Sequence, residues 1–550
     1  MRSAMRSVLA RTLGGLTALA SAACAGPAAA HSFGVVYNLP MPFWMYAFAA
    51  SAALALSFLV VGFLVTSTPG ARSAAGGYGW TVEGYAGAAL LAGARSVSLF
   101  LLALAIAAGL MGPANPFANL AMTMFWILFV LGFAYLTAIA GDLYDFISPW
   151  RLVGAAADRL AILGGLPRLR YPGWLGYYPA LVLYMGFIYV ELFGHAGPRA
   201  LALLFMGYLV VNTVAAALFG AQAWFRYGEF FGVFLRLIGK ISPIAWEVTP
   251  AAQSTPTQHL STPSLTTPSR LGHSQRGQIG ALSLPAESLR VRLRPPFVGL
   301  LEEEADHFSL ILFVLFMLSS TAFDGLHETL PWVTLFWTGV YPALDAALHL
   351  PYLVMVNFYY VWQALMLFVS PFVYLAVYLF FIWLMKGITR SDMSVRQLAL
   401  KFAFSLVPIA VVYHITHYYT LLIDQAQAVV PQLSDPLGMG WNLFGTARQT
   451  VQPVILLASS VWHTQVALIL VGHIVSVYLA HLGALNVFGK AKRALWSQLP
   501  MLVLMMLFTT MGLWILSLPI AAGQVQDPNP AVMPDPSSPN APGATPPAPQ

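Results

Sequence analysis

Three histidines on two consecutive apolar segments could hold a metal ion. His414 and His417 are three residues apart, so they lie on one face of the helix predicted over 402–423. At about 1.5 Å per residue they lie roughly 14 and 9 Å below the C-terminal end of that helix, and His463 on the next, antiparallel helix reaches a similar depth. Imidazoles suit Zn, Cu, Ni or Fe, and the Asp424 carboxylate could complete or orient the set. The pattern therefore predicts a site for one divalent transition metal, Zn or Cu.

Two other interpretations of the same histidines stay open. Histidines inside a membrane often form hydrogen bonds with hydroxyl groups on neighbouring helices, which would make the cluster a polar packing network. The available hydroxyl groups are those of Tyr413, Tyr418, Ser459 and Ser460. Alternatively, the cluster lines a path for protons or ions, because ionisable residues within a bilayer mark functional sites.

Two aspartates are candidates for catalytic groups. Asp424 ends the histidine-bearing segment, where it could act as a ligand or base or simply solvate the helix end. Asp324 follows the span predicted over 307–323, together with His327, and could line the same cavity or cap that helix. His473 lies deeper in its segment, and packing is the favoured interpretation for it.

The elements that must position these residues are membrane helices. Of the 550 residues, 59% are hydrophobic and only 8% are charged, whereas soluble domains carry about 25% charged residues. Apolar runs of roughly 20 residues indicate spanning helices. We therefore expect an all-α, polytopic transmembrane bundle of about ten spans in two five-helix halves. The predicted spans are 42–66, 97–113, 118–140, 175–194, 198–220, 307–323, 360–386, 402–423, 454–482 and 499–520.

The basic residues predict the orientation of these spans. A basic region, an apolar core and an Ala-Ala-Ala site indicate a cleavable signal peptide that makes His31 the first mature residue. With a periplasmic N-terminus, all Lys and Arg residues after the signal except Arg199 and Arg448 fall on the cytoplasmic side. This sorting predicts a multi-pass protein of the bacterial inner membrane.

Composition also divides the chain into segments. We predict a signal peptide (1–30), an N-terminal membrane half (31–250), a flexible cytoplasmic linker (251–300), a C-terminal membrane half (301–522) and a disordered periplasmic tail (523–550). The apolar-aromatic stretch 221–246 is predicted to form an interfacial helix on the cytoplasmic side.

Several functional classes find no support in the sequence. The chain has no Walker loop, GxSxG elbow, HExxH or CxxC motif, so no nucleotide cofactor is expected. Its basic residues are scattered over short loops, which does not indicate a nucleic-acid surface. The expected partners are the lipid bilayer and an apolar small molecule; the sequence does not identify protein partners.

Five stretches together resemble a family of bacterial membrane proteins described as fenitrothion hydrolases, which act on organophosphorus compounds. They are His31-Ser32-Phe33-Gly34, Tyr37-Asn38-Leu39-Pro40-Met41-Pro42, Gly141-Asp142 to Ser148-Pro149-Trp150-Arg151, Thr321-Ala322-Phe323-Asp324-Gly325, and His417-Tyr418-Tyr419 through Gln425 and Gln427 to Ser434-Asp435-Pro436. The resemblance implies hydrolysis of the P–O–aryl bond of a phosphotriester, with release of a nitrophenol. It carries no catalytic motif across.

This resemblance and the residue patterns together predict a membrane-embedded phosphotriester hydrolase. A metal in the periplasmic half of the bundle would polarise the phosphoryl oxygen and generate hydroxide. The alternative is a membrane transporter or a copper-handling protein that uses the same His/Asp cluster.

Overall fold

The computed structural model describes residues 42–66, 79–82, 84–165, 168–250, 287–349, 351–454 and 456–518. The predicted signal peptide, the mature N-terminus at His31, linker residues 251–286 and the predicted tail lie outside the described residues.

Lipid cannot form hydrogen bonds with the backbone N–H and C=O groups. Long apolar runs therefore form helices, in which these groups bond one another. Within the described residues, twelve helices have at least ten residues. They are α1 (Phe43–Leu64), α2 (Gly84–Met111), α3 (Leu120–Ala140), α4 (Pro149–Leu163), α5 (Tyr178–Phe193), α6 (Pro198–Phe219), α7 (Phe230–Gly239), α8 (Phe308–His327), α9 (Tyr352–Thr389), α10 (Val407–Gln425), α11 (Ala458–Phe488) and α12 (Ala491–Ser517). Shorter helical segments are Pro116–Ala118, Tyr144–Ile147, Ala221–Tyr227, Val298–Leu300, Leu330–Thr334, Leu335–Val340, Tyr341–Leu348, Val395–Phe402, Ala403–Leu406, Ala426–Ala428 and Val429–Ser434.

Nine helical stretches in the described part of the chain are long and apolar enough to cross a membrane. They comprise α1, α2, α3, α6, α8, α9, the run Val395–Ser434 that contains α10, α11 and α12. The predicted all-α, multi-pass membrane fold is therefore confirmed. The remaining predicted span, 175–194, corresponds to α5, an apolar helix of 16 residues, which is shorter than the roughly 20 residues that a span usually needs.

A small antiparallel sheet connects the two halves of the sequence. Strands β1 (Gly79–Val82), β2 (Ile244–Pro250) and β3 (Glu287–Leu293) lie in the order β1-β3-β2. The predicted flexible linker 251–300 is therefore too long at its C-terminal end. In β3 the apolar residues alternate with arginines, and this period-2 pattern is the signal for a strand.

Helix α8 forms the centre of the bundle. Of its 18 most apolar consecutive residues, 89% are buried, whereas the corresponding share in α2 is 11%. It packs against α5, α9, α10 and α12, so protein rather than lipid surrounds it. Polar side chains near its end, including Asp324 and His327, are therefore held inside the protein.

Helix α7 corrects the expectation of an interfacial helix over 221–246. Its residues are apolar almost all round and almost all are buried, and a helix of this kind belongs in a core rather than on a surface. Glu229 caps its N-terminus and accepts hydrogen bonds from the backbone N–H groups of Phe231 and Gly232. The hydroxyl groups of Tyr144 and Tyr208 also donate to this carboxylate.

Candidate acid–base site

Asp324 of α8 and His417 of α10 form a buried pair. His417 Nε2 lies 2.8 Å from Asp324 Oδ2, and the two side chains are 13% and 6% exposed. Gly325 makes room for this contact. A Cβ atom at position 325 would lie 3.5 Å from His417 Cε1 and only 2.9 Å from the Cγ2 atom of Ile515 in α12.

Tyr418 fixes the same carboxylate from a second direction. Its hydroxyl group donates to Asp324 Oδ2 over 2.5 Å. Because Tyr418 follows His417 directly in α10, the two side chains leave the helix about 100° apart. The carboxylate therefore has two donors from one helix, and its orientation depends on how α8 packs against α10.

Further ionisable groups surround the end of α8. His327 Nδ1 donates to the Asp324 carbonyl oxygen over 2.9 Å and lies 4.0 Å from Asp324 Oδ1. A carbonyl oxygen only accepts, so this contact places the proton of a neutral His327 on Nδ1. Burial raises the pKa of Glu328; the charge of Asp324 acts in the same direction, whereas His327 and His417 lower it.

A small cavity, here called the Asp324 cavity, adjoins this cluster. It leaves about 20 Å³ open to the centres of water molecules, which is room for one ordered water. Its polar lining comes from Tyr184, Glu191, Ser320, Thr321, Asp324, His414 and Tyr418. Its apolar lining includes a phenylalanine wall formed by Phe129, Phe187, Phe230, Phe231 and Phe234. Since His417 is not among the lining residues, Asp324 faces the cavity and His417 lies behind it.

The structure separates His463 from the other two predicted metal ligands. His414 lines the Asp324 cavity and a second space of about 10 Å³ beside Tyr135. His463 is exposed; its Nδ1 donates to the Ser459 carbonyl oxygen over 2.6 Å, and its ring packs near Tyr46 of α1. Across the described ranges, no group of three or more His, Cys, Asp or Glu side chains could hold a metal ion. The predicted set of three histidine ligands is therefore not assembled.

Asp424 has a structural contact at the end of α10. Its Oδ1 atom accepts a hydrogen bond from the Val454 backbone N–H over 2.9 Å. The Gln427 side chain donates to the carbonyl oxygens of Asp424 and Gln452. These bonds connect the end of α10 to the segment before α11.

Sequence reasoning overlooked two members of the cluster, Glu191 and Glu328. Glu191 is the only acidic residue in the apolar segment 175–194, and an isolated carboxylate in such a segment is itself a functional signal. Glu328 follows α8 directly, but no sequence pattern indicates that this residue is partly buried.

Comparisons with family models, curated proteins and solved structures gave no match.

Proposed function

We propose that the protein is a membrane-embedded hydrolase of apolar phosphotriesters in which Asp324 is the general base. One observation carries the proposal: His417 and Tyr418 orient a buried carboxylate at the edge of a cavity with room for one water molecule. A base must lie within hydrogen-bond reach of the proton that it removes, and Asp324 lines the cavity that the water would occupy.

In the proposed reaction the water oxygen attacks phosphorus while Asp324 accepts the proton. The P–O–aryl bond breaks, and the aryl group leaves as an aryloxide. A nitrophenolate is a stable anion, so its departure needs no acid. His417 and Tyr418 act as positioning residues, since both donate hydrogen bonds to the carboxylate and neither protonates the leaving group.

The reaction class rests on the family resemblance and on the character of the site's surroundings. Apolar aryl esters partition into lipid, and the phenylalanine wall offers them an apolar face. The Asp324 cavity has room for a water but not for a triester, so the proposal requires the phenylalanine wall to move apart when substrate enters. Such gating motions are common in enzymes.

The proposed mechanism uses no metal because the predicted histidine ligands do not converge. We propose further that the protein lies in the bacterial inner membrane with a periplasmic mature N-terminus. This orientation places the His327 end of α8, and with it the acid–base cluster, in the periplasmic half of the bilayer.

Two matched substitutions test the role of Asp324. Asp324→Asn should lower the turnover of paraoxon or fenitrothion by the purified protein about 100-fold or more, because it removes the base. Asp424→Asn should lower it less than about threefold, because the Asp424 side chain bonds the backbone of Val454, a loop residue away from the Asp324 cavity. Nitrophenol release measures the rate, and metal analysis of the same samples tests for a metal cofactor. Equal losses in the two variants would contradict the assignment.

A proton-coupled transporter is the second candidate. The specific observation in its favour is the number of ionisable groups around one water-sized cavity, with Glu191 and Asp324 in its lining and Glu328 and His327 nearby. Such groups within a membrane form proton relays. If the wild-type protein never hydrolyses a triester but moves protons into liposomes, and Asp324→Asn abolishes that movement, this candidate becomes the better account.

A further inference from the structure

A second water-sized cavity lies on another side of α8 and α10 and shares no lining residue with the Asp324 cavity. This His473 cavity leaves about 20 Å³ open to the centres of water molecules, again enough for one water. Helices α8, α9, α10, α11 and α12 all contribute to its lining. Its polar side chains are those of Tyr374, Tyr413 and His473.

Two polar atoms at this cavity lack a protein partner. Within the described residues, the Tyr413 hydroxyl group and His473 Nε2 are buried and have no hydrogen-bond partner. The two residues are only 4% and 3% exposed. Buried polar groups are nearly always hydrogen-bonded, to protein or to ordered water. Two such atoms at one cavity therefore indicate a molecule that binds both.

The hydrogen-bonding roles of the two atoms are complementary. His473 Nδ1 lies 2.8 Å from the Ile469 carbonyl oxygen, which only accepts, so Nδ1 carries the proton. In the neutral ring Nε2 is then an acceptor, and the Tyr413 hydroxyl group can donate. The bridging molecule must donate to Nε2 and accept from the hydroxyl group, and water does both.

We infer that the His473 cavity binds one ordered water molecule that bridges Tyr413 and His473. The bridge has a consequence for the acid–base pair, because Tyr413 lies one helical turn before His417 in α10. The water thus connects α11 to the part of α10 that positions His417. This inference does not depend on the reaction that the protein catalyses.

Thermal unfolding of the purified full-length protein tests the bridge. Tyr413→Phe should lower the melting temperature by about 1–3 °C, because it removes one bond to the water. His473→Leu should also lower it, and the double variant should lose less than the sum of the two. Tyr378→Phe is the control, since the Tyr378 hydroxyl group donates directly to the Ala399 carbonyl oxygen over 2.8 Å. This variant should lower the melting temperature whether or not the cavity is wet.

If the His473 cavity holds no water, the expected change in melting temperature is different. Removing a hydroxyl group that has no partner would leave the melting temperature unchanged or raise it, and either result for Tyr413→Phe would overturn the inference, as would strictly additive losses. If the variants fail to fold, the nitrogen-15 NMR signal of His473 Nε2 in the wild-type protein decides. A signal typical of a nitrogen that accepts a hydrogen bond supports the water, and one typical of an unbonded nitrogen refutes it.

Discussion

Asp324 and Asp424 show why residue type and position along a segment do not settle a residue's role. Both carboxylates lie near the end of an apolar segment, so the sequence nominates both as catalytic candidates. Packing separates them, since Asp324 is buried against His417 and Tyr418 whereas Asp424 bonds the backbone of Val454. The sequence could nominate Asp324 but could not identify its partners, because these come from a helix more than ninety residues away.

Asp142, outside the spanning helices, yields a prediction for stability against pH. Burial, and to a smaller extent the charge of Asp145, raise the pKa of this carboxyl group to about 7, although Arg236 and Arg151 act in the opposite direction. A raised pKa means that the group's stabilising contribution is present at low pH and is lost as the pH rises through about 7. The wild-type melting temperature should therefore fall between pH 5 and pH 8.

Replacing the Asp142 carboxyl group should reduce the fall in melting temperature with rising pH. Between pH 5 and pH 8, Asp142→Asn should lose about 2–4 °C less than the wild type in a thermal melt. Asp392→Asn is the control, because Asp392 is exposed and its variant should follow the wild-type curve. Identical curves for wild type and Asp142→Asn would refute the prediction.

At the scale of elements, the sequence predicts how deep a residue lies along its helix better than it predicts which neighbouring helix its side chain faces. The 3.6-residue period places His414 and His417 on one face of α10, and in the structure His417 contacts the Asp324 carboxylate while His414 lines the same cavity as Asp324. Matching the depth of His463 did not place it with them, because the rotation of α11 about its axis depends on packing. The ring of His463 instead lies near Tyr46 of α1.

The close approach of α8, α10 and α12 at Gly325 gives an element-scale prediction. Gly325→Ala should lower turnover about tenfold, because the new Cβ atom would lie 2.9 Å from Ile515 Cγ2 and push α8 away from its neighbours. Adding Ile515→Ala removes that clash and should restore most of the rate. Gly387→Ala in α9 is the control, since a Cβ atom there meets nothing within 4 Å. A fully active Gly325→Ala variant would show that the packing tolerates a shift.

At the scale of the whole molecule, the apolar runs predict the spanning helices well because length and composition alone define them. The sheet was not foreseen because its strands are short and β1 lies more than 160 residues before β2 along the chain. Strand β3 was also missed because it lies within the range predicted to be a flexible linker. The central position of α8 could not be predicted either, since its composition resembles that of the helices that face lipid.

Alkaline phosphatase fusions test the predicted orientation, because this enzyme is active only in the periplasm. Fusions after residues 115, 345, 435 and 525 should be active, and those after 160, 270, 392 and 491 inactive. An active fusion after residue 270 would overturn the predicted topology, since basic residues flank that position on both sides.

The most direct test of the central claim compares His417→Gln with His463→Gln in the nitrophenol release assay. If the Asp324–His417 pair is the chemical centre, His417→Gln should lower turnover about tenfold or more, whereas His463→Gln should retain the wild-type rate. The same separation should appear in proton movement if transport is the function. Equal and severe losses in both variants, together with loss of a bound metal, would contradict the account and restore the metal site of three histidines.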